Sequence, residues 1–507
     1  MSGILSAAGV LVAAGAASAA ILLSPGRARS LAMLSALALC PVLILGDQWH
    51  TSQIVDLRDH PMRFAGLGIL ALALTVSLAS AFNRWPLAFP LAAVAALPFR
   101  VPLEAGGDTA NLLVPLYLVI AGGVLATGVR ELTASPAGGR GGGGSRTTPP
   151  AAPPSPPART RGGAVTSLTR ILAVVVILYA IQTLYSPDFS KSLQNVCFFF
   201  VPFSLLFGLL RDVEWSRKLL RWTLAVLAFE AVVFVLIGSV EWLVRDLFWN
   251  DQVIRSNDFH TYFRVNSVFW DPNIYGRWLA LVAVIAMAAL LWVKERRSFW
   301  LFTGLIAVLW VGLVPTYSQS SFAALLGGLA VLAALRWSWR WTLGAVGVAA
   351  VLGVLVVLFV GGVSKVNPSR LNVDTGGRAN LVSGGLELFK QRPVWGYGSG
   401  SFPKAYAEHV RADSPVSVSH TQPITVAAEQ GLIGLTLYAA LLATALLTMF
   451  TGNTRRPDLL GRAAVLAAFT ALVVHTMAYA GFYEDPIAWV LLAVGASLVV
   501  GPVRDGT

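Results

Sequence analysis

Long apolar runs, which recur along almost the whole chain, constrain its fold more than any other feature. A run of about 20 apolar residues crosses a bilayer as an α-helix, because a helix satisfies its own backbone hydrogen bonds in lipid. The chain has 507 residues, of which 56% are hydrophobic and only 12% are charged. Several soluble domains would need about twice that charge. The sequence therefore predicts an all-α polytopic membrane protein with about 14–15 transmembrane helices.

The apolar runs also predict how the chain is divided. Spans are predicted near residues 4–23, 30–46, 64–82, 86–99, 110–128, 168–184, 193–210, 218–240, 273–293, 299–315, 320–335, 341–362, 430–450, 461–480 and 485–502. The run 86–99 is short and contains three prolines, so we expect a partial or broken span there. Residues 132–163 are rich in Gly, Pro and Arg, which predicts a disordered linker. An N-terminal membrane region (residues 1–131, about five spans) then precedes a larger membrane domain (residues 164–507, about ten spans).

The distribution of charge between alternate loops predicts the orientation of the chain. Basic residues are concentrated in one set of loops, which includes the linker. The positive-inside rule assigns that set to the cytoplasm, and it also explains the formal net charge of +12 without a nucleic-acid partner. The other set contains two long loops, 241–272 and 363–429, which are predicted to be extracytoplasmic. We expect a multi-pass protein of the cell (inner or plasma) membrane.

Residue types that bind metals are not arranged for that purpose in this sequence. The two cysteines, Cys40 and Cys197, both lie in apolar runs. The six histidines include no HxxxH or HExxH pair, and the chain has no DxD triplet. We therefore predict no metal site and no cofactor.

The first long loop ends in a helix start that is preceded by an arginine. Asp271 followed by Pro272 is typical of a helix N-terminus, and this structural role is sufficient for both residues. Arg264 lies just before the span on the outer side, where basic residues are not favoured. It is either an ordinary surface arginine or a component of an anion-binding site.

The second long loop contains three features that favour a site. Arg378 is predicted in the first turn of a helix, where the dipole disfavours a cation unless an anion is shared with it. Gly396-Tyr397-Gly398 permits tight turns and close approach to a ligand, although a packed lid explains it equally well. His420 precedes a helix start, which keeps its ring neutral and able to accept a proton.

Taken in order, these residues resemble the O-antigen ligase/O-antigen polymerase family of bacterial envelope enzymes. The motifs that carry the resemblance lie between about 260 and 490 and are Arg264, Phe269-x-Asp271-Pro272-Asn273, Gly377-Arg378, Gly396-Tyr397-Gly398-x-Gly400-x-Phe402, His420 and Glu429-x-Gly431-Leu432-Ile433-Gly434. The resemblance implies a GT-C-like fold and a metal-independent, inverting glycosyltransferase without a cofactor. Its donor would be a glycan on undecaprenyl pyrophosphate, and residues 164–507 would be the catalytic domain.

The resemblance also implies roles for individual residues. Arg264 and Arg378 would hold the pyrophosphate, and His420 would activate the acceptor hydroxyl. Further substrate-loop candidates are Asn273, Tyr397 and Glu429. The partners would be the lipid-linked glycan, a glycan or lipid acceptor, and the bilayer. A polysaccharide polymerase is preferred to a ligase, and the sugar and the acceptor stay open.

Two other classes of protein remain as alternatives. A transporter or flippase for a polyprenyl-linked glycan would need a polar path through the bilayer, but the clearest ionisable residues within the spans are only Glu230 and His475. A non-catalytic partner in envelope assembly would tolerate the loss of the two arginines and of His420.

Overall fold

Most of the chain is described by a computed structural model, which covers residues 3–105, 108–133, 158–248, 253–254, 257, 262–348, 377–411, 418–450 and 456–500. Twelve helices within these ranges are long and apolar enough to span a membrane. The predicted all-α polytopic membrane fold is confirmed, and one β-hairpin is added to it.

The N-terminal membrane region forms six helices and that hairpin. Their bounds are α1 Gly3–Leu22, α2 Arg27–Asp47, α3 Ser52–Asp59, α4 Pro61–Arg84, α5 Ala88–Ala95, β1 Val101–Ala105, β2 Asp108–Leu112 and α6 Val114–Thr133. The two strands pair antiparallel, with Val101 opposite Leu112. The partial span predicted at 86–99 forms only the eight-residue α5, because Pro98 lacks the N–H that would continue the helix.

The region after the linker contains the other helices. Their bounds are α7 Ala158–Thr183, α8 Phe189–Asn195, α9 Val201–Arg211, α10 Arg217–Val244, α11 Pro272–Trp292, α12 Arg296–Leu313, α13 Gln319–Arg336, α14 Arg378–Gln391, α15 Phe402–His409, α16 Gln422–Phe450, α17 Arg456–Thr476 and α18 Pro486–Val500. A π-helical turn, Val196–Phe200, joins α8 to α9, and a 3-10 turn, Val314–Thr316, follows α12. Residues 339–348 are also helical, and the rest of the span predicted at 341–362 lies outside the described residues.

The predicted linker is shorter in the structure than in the sequence analysis. Helix α6 ends at Thr133 and α7 begins at Ala158, so both ends of 132–163 belong to helices. Adding residues to an existing helix is far easier than nucleating one, which explains why both helices extend past their apolar runs. The remainder of the linker lies outside the portion of the chain that the structure describes.

One hydrophobic cluster includes helices from both sides of the linker. It contains Val10 of α1, Val176 of α7, Phe203 of α9 and Trp489 of α18, all essentially inaccessible to solvent. Buried polar groups add to this packing, since Arg29 of α2 forms an ion pair with Asp212 and donates to the Gly208 carbonyl at 2.8 Å. The helices before and after the linker therefore pack together in one bundle.

The loops at one end of this bundle are tied to each other. The Val265 amide donates to the Pro315 carbonyl at 3.1 Å, which joins the α10–α11 loop to the 3-10 turn. Gln422, at the start of α16, accepts hydrogen bonds from the amides of Gly481 and Phe482 at 2.6 and 2.9 Å. The α17–α18 loop is therefore held against the start of α16, and this end of the bundle carries the candidate site.

Candidate functional site

Arg264 is fixed in the α10–α11 loop by hydrogen bonds on several sides. Its backbone N–H donates to Asn257 Oδ1, and its carbonyl accepts from Asn257 Nδ2, both at 3.0 Å. Its Nε donates to the Thr316 carbonyl at 2.9 Å, and its Nη2 donates to Asn273 Oδ1 at 3.3 Å. Within the described residues Nη1 has no hydrogen-bond partner. The guanidinium is thus held in place with donor capacity left for a ligand.

Asp271 caps α11 as predicted and also has a second contact. Its Oδ1 accepts from the Asn273 amide at 2.6 Å, with Pro272 at the first helical position. Its Oδ2 accepts from Tyr479 Oη at 3.4 Å. Asn273 itself is buried, with 7% of its surface exposed. The cap therefore orients Asn273 toward Arg264 and links the helix start to the α17–α18 loop.

Arg378 is the first residue of α14, as the sequence predicted for the first turn. The preceding Gly377 has φ +87°, a left-handed conformation that suits glycine. The Arg378 side chain is half-buried and has neither a hydrogen bond nor an ion pair with any residue that the structure describes. A partly buried cation without a counterion is costly, and a helix N-terminus already favours an anion. Arg378 is therefore available to bind an anion.

His420 lies in the turn before α16 with a left-handed backbone, φ +60°. Hydrogen bonds on both sides pin this turn: Ser419 Oγ donates to the Thr421 carbonyl at 2.8 Å and lies 2.8 Å from Thr425 Oγ1. The imidazole has no hydrogen-bond partner in the described stretches of the chain, and its ring centroid lies 6.3 Å from that of Tyr479. Positive φ at a residue other than glycine is uncommon and is concentrated at functional sites.

The effects of the Arg378 charge on the pKa values of Arg264 and His420 indicate that these three residues form one cluster. Burial lowers the pKa of His420, the Arg378 charge lowers it further, and Asp271 acts in the opposite direction. Burial likewise lowers the pKa of Arg264, Asp271 opposes this, and Arg378 adds to it. Charges influence one another in this way only at short range. The cluster therefore combines two cations, one carboxylate and an imidazole kept in its neutral form.

A neighbouring group of polar residues was not predicted from the sequence. Arg277 of α11 forms an ion pair with Asp485 at 3.1 Å, and both side chains are buried. Burial lowers the pKa of Arg100, and Asp485, Arg277 and Tyr479 all contribute to its electrostatic environment. No local sequence signal identifies Arg100, because it comes from the region before the linker. The N-terminal membrane region thus reaches the edge of the site.

His475 extends the cluster into the membrane helices. Its Nε2 lies 3.1 Å from Ser320 Oγ, and its ring centroid is 5.6 Å from that of Tyr479. His475 is fully buried, and this hydrogen bond joins α17 to α13. Tyr479 therefore lies between two histidines and beside Asp271, although nothing in its local sequence singled it out.

Tyr397 and Glu429 lie apart from this cluster, in a packed loop. Tyr397 is 4% exposed, and its hydroxyl donates to Gln391 Oε1 at 2.6 Å. The buried Glu429 carboxylate accepts from the amides of Gly400 and Phe402 at 3.0 and 3.1 Å. Both residues thus stabilise the glycine-rich loop. Their predicted role in substrate binding stays a prediction.

The described residues contain no group of three or more His, Cys, Asp or Glu side chains arranged to hold a metal ion. Whether the activity depends on a metal is a separate question, and the predicted metal independence stays a prediction.

Fold and site together define a polytopic membrane protein with a half-buried cationic site and an unpaired imidazole at one end of its helix bundle. Residues 305–439 match a family model described as O-antigen ligase. This match confirms, over that segment of the chain, the resemblance to the O-antigen ligase/O-antigen polymerase family found in the sequence. The matched segment contains Arg378 and His420, whereas Arg264 and Tyr479 lie outside it. No curated protein matches this chain.

Proposed function

We propose that this protein is a membrane glycosyltransferase acting at the outer face of the membrane. It transfers a glycan from an undecaprenyl-pyrophosphate-linked donor to an acceptor hydroxyl. The family match supports glycan processing in general. The observation that carries the finer proposal is the half-buried Arg378, which has no partner among the described residues, close to Arg264 and to a neutral His420.

The two arginines are proposed to bind the pyrophosphate of the donor. Arginine forks match phosphate oxygens well, and hydrogen bonds between charged groups are stronger than those between neutral ones. The start of α14 adds the positive end of a helix dipole beside Arg378. Asn273 contributes by fixing Nη2 of Arg264. Among the described residues of the cluster, two guanidinium groups and the Asp271 carboxylate leave a net positive charge for the anion.

His420 is proposed as the general base. The oxygen of the acceptor hydroxyl attacks the anomeric carbon of the donor sugar, and its proton passes to a nitrogen of the neutral imidazole. The bond between that carbon and the pyrophosphate oxygen breaks, which inverts the configuration. Undecaprenyl pyrophosphate leaves with the electron pair, and the arginines stabilise its charge. One base is therefore enough, and the reaction needs neither a metal nor a protonating acid.

The identity of the acceptor determines whether the activity is that of a polymerase or that of a ligase. If the acceptor is another glycan chain, the protein is a polymerase, and if it is a different lipid or glycan, the protein is a ligase. We favour the polymerase. In either case we place the catalytic residues in the domain formed by residues 164–507, with Arg100 of the N-terminal membrane region at the edge of the site.

Binding of undecaprenyl pyrophosphate alone tests the anion site without requiring turnover. Purified protein in detergent is titrated with this lipid, and the heat of binding is measured. We expect wild-type protein and His420→Ala to bind it with similar affinity, because the base is not needed for binding. Arg264→Ala and Arg378→Ala should bind it at least about tenfold more weakly. Equal binding by all four proteins would show that Arg264 and Arg378 do not bind the pyrophosphate.

A further inference from the structure

A large cavity lies within the membrane helices and extends from Trp278, next to Arg277 at the edge of the candidate site, toward the other end of the bundle. Its volume is about 1200 Å³, and helices α5, α10, α11, α13, α17 and α18 surround it. Along α11 it extends from Trp278 to Trp292, which corresponds to about 21 Å at 1.5 Å per residue. The hydrocarbon core of a bilayer is about 30 Å thick, so the cavity is longer than one leaflet is deep.

The walls of this cavity are apolar along most of its length. The lining side chains are mainly Leu, Val, Ile, Ala and Trp, with Leu281, Ala464 and Val490 among them. Hydrocarbon chains suit such a surface, whereas water does not, because an apolar cavity offers water too few hydrogen-bond partners.

One end of the cavity is lined by basic residues. Four of its described lining residues, Arg217, Arg221, Lys294 and Arg336, are basic, and none of the described ones is acidic. Arg217 begins α10, Lys294 follows α11, and Arg336 ends α13. The opposite ends of these helices face the loops of the candidate site, so the basic end lies on the other side of the membrane.

Among the described residues, protein groups satisfy only some of the hydrogen-bonding capacity of Arg221 and Arg336. Arg221 Nε donates to the Arg217 carbonyl and Arg336 Nε to the Leu291 carbonyl, each at 3.4 Å. None of the ion pairs formed by the described residues includes Arg221, Lys294 or Arg336. Trp292 lies at the same level, and tryptophan is common where membrane helices meet the headgroups. An anionic headgroup fits this end.

We propose that the cavity binds an anionic glycerophospholipid from the leaflet opposite the candidate site. Its phosphate would lie among the four basic residues, and its acyl chains would lie between α10, α11 and α17. A neutral lipid would leave Arg221, Lys294 and Arg336 without a counterion among the described residues, and a water-soluble anion would leave the apolar walls uncovered. Basic pockets between membrane helices bind anionic lipids in this way. The lipid differs from the proposed donor, whose pyrophosphate lies at the other end of the bundle.

Native mass spectrometry of the full-length protein in detergent tests the proposal. The protein is titrated with dioleoyl phosphatidylglycerol, or with phosphatidylcholine of the same chains, and bound lipids are counted. The test variant is Arg221→Gln/Lys294→Gln/Arg336→Gln. The control variant, Arg296→Gln/Arg297→Gln/Arg340→Gln, removes the same charge from basic residues that do not line the cavity. The measurement does not depend on glycosyltransferase activity.

We expect wild-type protein and the control variant to bind one phosphatidylglycerol at least about tenfold more tightly than phosphatidylcholine. The test variant should lose between about tenfold and a hundredfold in affinity for phosphatidylglycerol and keep its affinity for phosphatidylcholine. Equal binding of both lipids by wild-type protein would overturn the proposal, since the cavity would then hold bulk lipid. So would an equal loss in both variants, or displacement of phosphatidylglycerol by equimolar undecaprenyl phosphate.

Discussion

At the scale of single residues, the candidate site retains features that cost stability unless a ligand uses them. His420 adopts a left-handed backbone, and Arg378 is a half-buried cation without a partner in the described residues. Each feature is unfavourable by itself, the first by about 1–3 kcal/mol. Their proximity to one another and to Arg264 is the reason to treat them as one site.

Removing the imidazole should affect the chemical step and spare binding. We expect His420→Ala to lower the turnover of lipid-linked donor by about 10²–10⁴-fold, which is the usual contribution of a general base. Its affinity for undecaprenyl pyrophosphate should be unchanged. His409→Ala is the matched control, because His409 is an exposed histidine on α15 and should keep full turnover. Lost donor binding in His420→Ala would make this residue a pyrophosphate ligand instead.

Arg378 should be sensitive to the shape of its side chain as well as to its charge. A charge-assisted contact contributes about 1.5–3 kcal/mol, so Arg378→Ala should weaken donor use by roughly tenfold to a hundredfold. Arg378→Lys should recover only some of this loss, because lysine cannot form the bidentate fork. Kinetics at varied donor concentration measure both, with the exposed Arg411→Ala as control. Normal donor use by Arg378→Ala would contradict the assignment.

The pH dependence of turnover should reflect the charges around His420. Because burial and Arg378 lower the pKa of His420, the neutral base persists below its ordinary range, and turnover falls only when the pH drops through this lowered pKa. Arg378→Gln removes a positive neighbour and should move the acid limb to higher pH. Asp271→Asn removes a negatively charged neighbour of His420 and should move the acid limb of the pH profile to lower pH. Shifts of the same sign in the residual turnover of both variants would show that another group is titrating.

At the scale of elements, backbone hydrogen bonds join the glycine-rich loop to α16 at the end of the bundle near the site. The amides of Tyr397 and Gly398 donate to the carbonyls of Ala428 and Glu429 at 3.1 and 2.8 Å. The Leu432 amide donates to the Pro393 carbonyl at 2.7 Å, next to a kink in α16 at Gly431, where φ is +64°. The glycine-rich loop thereby fixes the first turns of α16, which begin just after His420.

Substituting Gly396 of this loop should lower the thermal stability of the protein. A Cβ on Gly396 would lie 2.3 Å from the Glu429 carbonyl oxygen, and the residue also has φ +69°. Gly377 has φ +87°, but no atom of the described residues lies within 4 Å of its Cβ position. Gly377→Ala should therefore cost only the left-handed backbone, about 1–2 kcal/mol, whereas Gly396→Ala adds a backbone clash. Thermal unfolding should give a clearly lower Tm for Gly396→Ala than for Gly377→Ala. Equal Tm values for the two variants would show that the close approach of Gly396 to the Glu429 carbonyl does not contribute to stability.

The sequence predicts the membrane helices better than it predicts the site, because hydropathy is local and the site is not. Arg378 and His420 could be found, since each lies at a helix start within a recognisable motif. Tyr479 and Arg100 could not, because only the packing of the α17–α18 loop brings Tyr479 near Asp271, and only the packing of the N-terminal membrane region brings Arg100 near Asp485. The alternating glycines are visible in the sequence, but the atoms that crowd them are distant in sequence: the Glu429 carbonyl lies beside Gly396, and Ser186 lies beside Gly398.

At the scale of the whole molecule, alternation of helix direction separates two ends with different chemistry. The loops with Arg264 and His420 meet at one end, and the starts or ends of α10, α11 and α13 place Arg217, Lys294 and Arg336 at the other. The positive-inside rule predicts that the second end is cytoplasmic. The proposed transfer at the outer face depends on this orientation.

Cysteine labelling in intact cells tests the orientation. The two native cysteines are buried, so introduced cysteines can be detected against a low background. We expect a membrane-impermeant maleimide to label Arg411→Cys from outside and to label Arg297→Cys only after permeabilisation, because both positions are exposed but lie at opposite ends. The reverse pattern would place the candidate site in the cytoplasm.

The most direct test of the proposed activity is incubation of the purified protein with an undecaprenyl-pyrophosphate-linked oligosaccharide in EDTA, with the products sized by mass spectrometry. The account predicts a lengthened or acceptor-linked glycan together with free undecaprenyl pyrophosphate, and the length of the product distinguishes a polymerase from a ligase. His420→Ala should form at least about a hundredfold less product. An intact donor of unchanged length, carried between leaflets in proteoliposomes, would contradict the account and identify a transporter, and activity restored only by Mg²⁺ or Mn²⁺ would contradict the metal-free mechanism.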